Sequence, residues 1–225
     1  MAGQVRINGH PAKKASDSVR ASDLVQLLES DRFVSRGGHK LEHALKHFAV
    51  NVNGARCVDL GSSTGGFTDC LLQNGAARVW AIDVGTNQLA WKLRSDPRVV
   101  SLEQTNARNL TPQSLGADWV SCDVVVADCS FISLRRILPA ATSLLRFGGA
   151  LVALVKPQFE AGKTDVDEGE GVITDPAIHA RVLAELEAFV RAELPTMNWR
   201  GVVESPLLGP AGNKEFLAFL QKITL

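Results

Sequence analysis

Two charged side chains, Asp128 and Lys156, stand directly after apolar stretches of the sequence. Asp128 follows residues 122–127 and Lys156 follows residues 150–155, and both stretches predict buried strands. An ammonium group is costly to bury unless carboxylates surround it. A structural salt bridge and a catalytic amine are therefore both open interpretations of Lys156.

A glycine-rich turn between an apolar strand and a helix predicts a binding site for a cofactor. Glycines leave no Cβ in the way and allow positive φ, so the backbone can lie against a ligand while the free N–H groups of the helix face it. A turn that binds nothing is the alternative. The predicted cofactor contacts are Asp59, Gly61, Ser62, Ser63, Thr64, Gly65, Gly66 and Phe67.

Two polar residues further along the chain also suit a cofactor. Asp83 ends the apolar run 79–82, about twenty residues after the glycines, where open α/β folds bind a ribose diol. An acid there suits NAD and S-adenosylmethionine equally. Asn106 could hydrogen-bond an adenine edge, although a turn or helix cap is an equally good interpretation.

Strands and helices alternate from residue 56 onward, which favours an α/β protein with a parallel, doubly wound sheet. Seven strands are predicted, at 56–60, 78–83, 98–102, 122–128, 149–156, 199–204 and near 215–223. Helices are predicted at about 65–74, 87–93, 133–146 and 176–193. Residues 161–175 are rich in Gly, Asp and Glu and predict a mobile loop.

A further helix is predicted from Gly38 onward. Leu41, Ala44, Leu45 and Phe48 would form its apolar face. The basic residues Arg36, Lys40, His43 and His47 would line up on nearly the opposite face. A lysine in such a position is usually solvated, so spacing alone gives Lys40 no function.

Composition excludes several classes of protein. The 225 residues can form one α/β core with a small appendage, and the net charge of zero gives no support for nucleic-acid binding. The absence of a signal peptide and of an apolar run of about 18–20 residues predicts a cytoplasmic protein without a membrane partner. The acidic residues 165–170 do not fit an EF-hand, so no metal is expected. The four cysteines, Cys57, Cys70, Cys122 and Cys129, predict buried thiols.

Five motifs occur in an order and spacing that resemble TlyA-type proteins, known both as hemolysins and as rRNA 2'-O-methyltransferases. They are S-R-G-G-H-K-L at 35–41, D-L-G-x-x-x-G-G-F at 59–67, D-x-S-F-I-S at 128–133, L-V-K-P-Q-F-E at 154–160 and G-x-x-G-N-x-E-F at 209–216. The resemblance spans residue 34 to the C-terminus. It implies an FtsJ-like, Rossmann-like methyltransferase domain that uses S-adenosylmethionine, with a mostly parallel sheet, helices on both faces and an antiparallel last strand.

The same resemblance assigns roles to four residues. Lys40, Asp128, Lys156 and Glu215 correspond to the Lys-Asp-Lys-Glu tetrad of 2'-O-methyltransferases, with Glu204 the nearest competitor for the last position. Lys156 would be the base and Asp128 would orient it. Lys40 and Glu215 would position the ribose and balance charge. Because a hydroxyl is a poor nucleophile until a base shares its proton, this chemistry needs such residue types.

The front of the chain, residues 1–32, is predicted to be a separate segment before the catalytic domain 33–225. Residues 3–9 and the residues after them predict a strand, an N-G turn and a second strand. The pattern resembles the second half of a small RNA-binding domain named after a ribosomal protein, whose two opening helices this chain lacks. A truncated remnant of that domain and a plain hairpin are both open.

The resemblance implies an S-adenosylmethionine-dependent RNA 2'-O-methyltransferase that acts on cytidine ribose of rRNA in ribosomal subunits. Three alternatives remain: a hemolysin-like membrane-acting protein, an NAD-linked oxidoreductase, and a cofactor-binding protein without catalysis. The glycine pattern G-S-S-T-G-G differs from the G-x-G-x-x-G of dinucleotide enzymes and disfavours the oxidoreductase.

Overall fold

The computed structural model describes residues 5–12, 14, 16, 18–27, 31–116 and 119–224 of the chain. The chain forms two compact units, Met1–Arg32 and Phe33–Leu225. Each unit has its own sheet.

The small unit contains a three-stranded antiparallel sheet. Its strands are β1 (Val5–Ile7), β2 (His10–Pro11) and β3 (Val25–Leu27), in the order β2-β1-β3. The predicted N-G turn joins β1 to β2, with Asn8 and Gly9 both at positive φ. Residues 3, 4 and 13 of the predicted hairpin lie outside the described residues. The third strand, β3, was not predicted, because it pairs with β1 across a long connection. Asn8 fixes the end of that connection: its Oδ1 accepts a hydrogen bond from Leu24 N at 2.8 Å, and its Nδ2 donates one to Asp23 Oδ1 at 2.9 Å.

The large unit is built on a seven-stranded sheet, as predicted. Its strands are β4 (Arg56–Leu60), β5 (Arg78–Ile82), β6 (Val99–Leu102), β7 (Cys122–Ala127), β8 (Leu145–Val155), β9 (Met197–Glu204) and β10 (Phe216–Lys222). The spatial order is β6-β5-β4-β7-β8-β10-β9. The first five strands in that order are parallel, and the last strand of the chain, β10, runs antiparallel to both of its neighbours. The predicted fold class is confirmed.

Helices cover both faces of this sheet. They are α1 (Gly37–His47), α2 (Gly66–Gln73), α3 (Trp91–Arg94), α4 (Leu138–Leu144), α5 (Pro157–Glu160), α6 (Lys163–Glu168) and α7 (Pro176–Glu193). Successive strand residues point to opposite faces, so the apolar side chains of the sheet pack into two separate clusters. Leu41 of α1 and Leu71 of α2 lie in one cluster, and Leu138 of α4 and Leu186 of α7 lie in the other.

Three predicted elements were wrong. The helix predicted at 87–93 is only the four-residue α3, because the preceding segment is bent by the bond from Gly85 N to Asp83 Oδ1 and by a positive φ at Asn87. The helix predicted at 133–146 ends at residue 144, where β8 begins early and its register against β7 shifts. The loop predicted at 161–175 contains the short helix α6.

Candidate active site

Two adjoining cavities lie at the carboxyl ends of the central strands, where ligands of open α/β sheets bind. The first, of about 290 Å³, is lined by Ser35, Arg36, Gly37, Lys40, Gly61, Ser62, Ser63, Thr64, Gly66, Phe67, Asp128, Ser130, Lys156, Pro210 and Glu215. The second, of about 490 Å³, is lined by Gly61, Ser63, Ile82, Asp83, Val84, Gln88, Thr105, Asn106, Ala107, Asp128, Cys129, Ser130, Phe131, Ile132 and Ile137. Gly61, Ser63, Asp128 and Ser130 line both.

The glycine turn after β4 lies against the loop after β7. Gly61 has a φ of 81°, and a Cβ added there would lie 2.6 Å from the carbonyl oxygen of Asp128. Gly65 has a φ of 98°, but its missing Cβ makes room for Leu93 and Leu89 rather than for a ligand. Gly61 therefore allows the glycine turn to approach the loop after β7, and Gly65 serves packing.

The second cavity has an acid at one end and apolar walls. Asp83 accepts hydrogen bonds from Ser63 N at 2.8 Å and from Gly85 N at 2.7 Å, which fixes its carboxylate at the cavity edge. Asn106 caps a short 3₁₀ helix by accepting from Arg108 N at 3.0 Å, so the capping interpretation is the one the structure shows, while the residue also lines the cavity. A flat apolar ring and a diol are the ligand groups that match this shape.

Two lysine–carboxylate pairs face the first cavity. Lys40 Nζ lies 2.5 Å from Glu215 Oε2, and Lys156 Nζ lies 2.6 Å from Asp128 Oδ1. Lys156 also donates a hydrogen bond to Ser130 Oγ at 2.7 Å. Lys40 is buried in the wall of the first cavity, although lysines at such helix positions are usually solvated. Four residues distant in sequence are thus brought together as two neighbouring ion pairs.

Asp59 lies beneath the glycine turn and lines neither cavity. It is fully buried, and Thr68 Oγ1 donates a hydrogen bond to its Oδ2 at 2.7 Å. Its Oδ1 has no hydrogen-bond partner among the described residues. Burial raises the pKa of Asp59 to about 7; the negative charges of Asp128 and Asp83 add to the shift and the Thr68 hydrogen bonds oppose it.

We expect Asp59→Asn to flatten the pH dependence of stability. A carboxyl whose pKa is raised on folding stabilises the fold below its unfolded pKa of 3.8, and this contribution is lost as pH rises through the folded value of about 7. The free energy of unfolding of the wild type should fall by up to about 3 kcal/mol more than that of D59N between pH 4.5 and 8. Urea unfolding at four pH values measures the difference.

Asp96 provides the control for this measurement. The hydrogen bond from Arg98 lowers its pKa, so it titrates below the range used. D96N should keep the wild-type slope between pH 4.5 and 8. Equal slopes for D59N and the wild type would contradict the raised pKa of Asp59.

Glu160 joins the two strand-end loops that carry Asp128 and Lys156. Its Oε2 accepts from Ser133 Oγ at 2.7 Å and its Oε1 from Leu134 N at 2.6 Å. Burial raises the pKa of Glu160, while the two hydrogen bonds oppose that shift. The carboxylate thus fixes α5, which follows Lys156, against the loop that follows β7.

Asn213 fixes the turn that carries Glu215. It is buried, its Oδ1 accepts from Ile173 N at 2.9 Å, and its Nδ2 donates to Gly171 O at 3.0 Å. The carbonyl of Asn213 accepts from Gly209 N at 2.9 Å and closes the turn. The segment at 171–173 is therefore attached to the same turn as Glu215.

Most of the residues singled out in the sequence line the two cavities. Asp59 and Gly65 are the exceptions, since one lies below the turn and the other packs on α3. Five residues of the cavity wall had no predicted role in the site: Ser35, Arg36, Gly37, Ser130 and Pro210. Each lies inside or next to one of the motifs quoted above, which is the signal that could have identified them.

Some kinds of site do not occur in the part of the chain that the structure describes. There, no group of three or more His, Cys, Asp or Glu side chains could hold a metal ion. No helix there is long and apolar enough to cross a membrane. Cys57, Cys70 and Cys122 are buried thiols as predicted, and Cys129 is partly buried.

A seven-stranded sheet with one antiparallel strand, a glycine turn after its central strand and acids at the neighbouring strand ends defines a Rossmann-like methyltransferase. The chain belongs to the FtsJ-like methyltransferase family, whose profile matches residues 33–222. Within it, the chain is 50% identical over 228 residues to the 16S/23S rRNA (cytidine-2'-O)-methyltransferase TlyA of Mycobacterium tuberculosis, covering 99% of this chain and 82% of that relative. The TlyA-type resemblance is confirmed.

Solved structures agree with this assignment. A Lactococcus lactis protein described provisionally as a hemolysin is 48% identical, with a TM-score of 0.80 over 86% of this chain and 90% of its own. A Listeria monocytogenes protein, described provisionally as an S-adenosylmethionine-dependent methyltransferase, has a TM-score of 0.59 over 84% of this chain and 100% of its own. At 17% identity, the second likeness shows the fold alone.

Proposed function

We propose that this protein is an S-adenosylmethionine-dependent methyltransferase of the cytidine 2'-hydroxyl in rRNA. The observation that carries the proposal is the pair of buried lysine–carboxylate contacts facing a cavity that shares a wall with a second, adenosine-sized one. The name of the Mycobacterium tuberculosis relative supplies the substrate class. The proposal places the protein in the cytoplasm, where ribosomal subunits are found.

The residues present fit S-adenosylmethionine. In this proposal Asp83 binds the ribose diol, Asn106 lies near the adenine, and the walls of the second cavity enclose the ring. The backbone of residues 61–64, with Gly66 and Phe67, faces the methionine end from the first cavity. When bound, the cofactor supplies an activated methyl group on a sulfonium.

The four charged side chains have different roles in the proposed reaction. Lys156 accepts the hydroxyl proton in its neutral form, and Asp128 orients its amine from 2.6 Å. Lys40 and Glu215 are locked to each other and present a fixed polar wall that positions the ribose. Holding the oxygen in line with the methyl group accounts for much of the remaining rate, since proximity alone can contribute about 7–11 kcal/mol.

The small unit is proposed to be part of an RNA-binding domain. Its support is the N-G turn and the three-stranded sheet. Recognition of rRNA depends mainly on shape and on exposed bases, so a small folded module could add to the contacts made near the active site.

A membrane-acting hemolysin is the second candidate, because the Lactococcus lactis relative is described as a hemolysin. The described residues offer no helix that could span a bilayer. Purified protein should therefore leave erythrocytes intact at concentrations that support methylation.

A titration with NAD and with S-adenosylmethionine separates the oxidoreductase from the methyltransferase, and retained binding without transfer identifies a non-catalytic binding protein.

The proposal is tested by tritiated methyl transfer from S-adenosylmethionine to isolated ribosomal subunits. We expect label on cytidine ribose, identified because a 2'-O-methyl group protects the adjoining linkage from alkaline cleavage. Gly61→Ala should abolish labelling, since its Cβ would lie 2.6 Å from Asp128 O. Label on a base, or cofactor binding without label, would contradict the proposed function.

A further inference from the structure

Ser130 connects the two cavities to the proposed base. It lines both cavities, and its Oγ accepts a hydrogen bond from Lys156 Nζ at 2.7 Å. The residue stands two positions after Asp128, in the loop that Glu160 fixes through Ser133. It belongs neither to the lysine–carboxylate tetrad nor to the glycine turn.

The amine of Lys156 has two close contacts of different kinds: an ion pair with Asp128 Oδ1, which has no hydrogen-bond partner among the described residues, and a hydrogen bond that it donates to Ser130 Oγ. Asp128 Oδ1 lies at 2.6 Å and Ser130 Oγ at 2.7 Å. A carboxylate can only accept a hydrogen bond, whereas a hydroxyl can both accept and donate. When Lys156 loses a proton, the contact with Ser130 can persist with its direction reversed, and Ser130 then donates to Nζ.

Lys156 and Ser130 differ in access to the cavity. The Lys156 side chain is only 10% exposed, and its amine lies 6.0 Å from the centre of the Phe159 ring. Ser130 is exposed and lies where the two cavities meet. A ribose hydroxyl entering the first cavity therefore reaches the Ser130 oxygen more readily than the buried amine behind it.

Resting on the 2'-O-methyl transfer proposed above, we propose that Ser130 is a catalytic residue that relays the proton of the ribose hydroxyl to neutral Lys156. The ribose oxygen bonds to the methyl carbon as the carbon–sulfur bond of the donor breaks and leaves its electron pair on sulfur. The proton of that oxygen passes to Ser130 Oγ, and the proton of Ser130 passes to Lys156 Nζ. Ser130 ends neutral, and Lys156 ends as an ammonium that Asp128 balances.

The test compares three variants in single-turnover methyl transfer to ribosomal subunits. Ser130→Ala should lower the rate about 100-fold, the lower end of general-base effects, with cofactor affinity within twofold of the wild type. Ser130→Thr keeps the hydroxyl and should recover most of the rate. Ser143→Ala is the matched control, because among the described residues that hydroxyl bonds only Ala140 O of its own helix, and its loss should change neither rate nor affinity.

A relay moves two protons in one step, which a positional role does not. Plotted against the fraction of D₂O in the solvent, the wild-type rate should follow a curve. The residual rate of S130A should follow a straight line. A straight line for the wild type, or an S130A rate within threefold of it, overturns the relay. An inactive wild type overturns the proposed methyl transfer instead, and the relay with it.

The contact itself has a readout that needs no activity. The NMR resonances of the Lys156 ε-methylene group in the protein alone should shift in S130A and stay unchanged in S143A. An unchanged Lys156 spectrum in S130A would mean that the 2.7 Å contact is absent in solution, which also overturns the relay.

Discussion

Lys156→Met is expected to reduce the rate of methyl transfer by about 10³-fold while cofactor binding stays within twofold. Methionine keeps the apolar stem that packs near Phe159 and removes only the amine. General acid–base groups contribute about 10²- to 10⁴-fold, and the amine is here the proposed end point of the proton. Single-turnover transfer to ribosomal subunits gives the rate, and calorimetry gives the cofactor affinity.

The control for this substitution is Lys46→Met. Lys46 is an exposed lysine on α1 whose contact with Glu42 joins residues one helical turn apart. Its loss should leave the rate and the affinity unchanged. If K156M still transferred methyl groups at more than a tenth of the wild-type rate, Lys156 would not be the base, and the structural salt bridge would be the surviving interpretation.

Breaking the ion pair between Lys40 and Glu215 is expected to have the largest effect on stability. The two side chains are 9% and 1% exposed, so removing one partner leaves the other charge buried. Such a change costs about 3–5 kcal/mol, whereas replacing both partners by apolar side chains of similar volume can be close to neutral. Urea unfolding of K40M, E215L and the double variant should show this non-additivity.

Lys46 and Glu42 provide the comparison, because the lysine is exposed and pairs four residues apart on a helix contribute about 0.3–0.5 kcal/mol. The double variant K40M/E215L should be folded yet slow in methyl transfer, since the polar wall of the first cavity is gone. Strictly additive losses for the two single variants would contradict the direct contact at 2.5 Å.

Parts of the structure that depend on local pattern could be predicted from the sequence. The strands that precede Asp128 and Lys156 are apolar runs, and the glycine turn between β4 and α2 can be recognised without any distant partner. The early start of β8 was missed because Leu145 pairs with Cys122 outside the regular register. Helix and strand lengths depend on such tertiary pairings as well as on local pattern.

The site required contacts that local pattern does not encode. Spacing alone gave Lys40 no function, because the carboxylate that allows its burial is 175 positions away; only the family resemblance assigned it a role. Ser130 was read as part of a motif, but its contact with Lys156 depends on how two strand ends meet. The capping bond of Asn106 depends on local backbone geometry that the sequence does not show, and its place near the adenine stays a prediction.

The separation of 175 positions between Lys40 and Glu215 also affects how the protein is made. At a synthesis rate of about 5–20 residues per second, Glu215 is added to the chain roughly 10–35 seconds after Lys40. The sheet imposes the same order, because β10 is the last strand in the chain yet inserts between β8 and β9. Early release of an unfinished chain would leave a buried ammonium uncompensated and a gap inside the sheet. The active site is therefore completed only after residues 215–222 have left the ribosome.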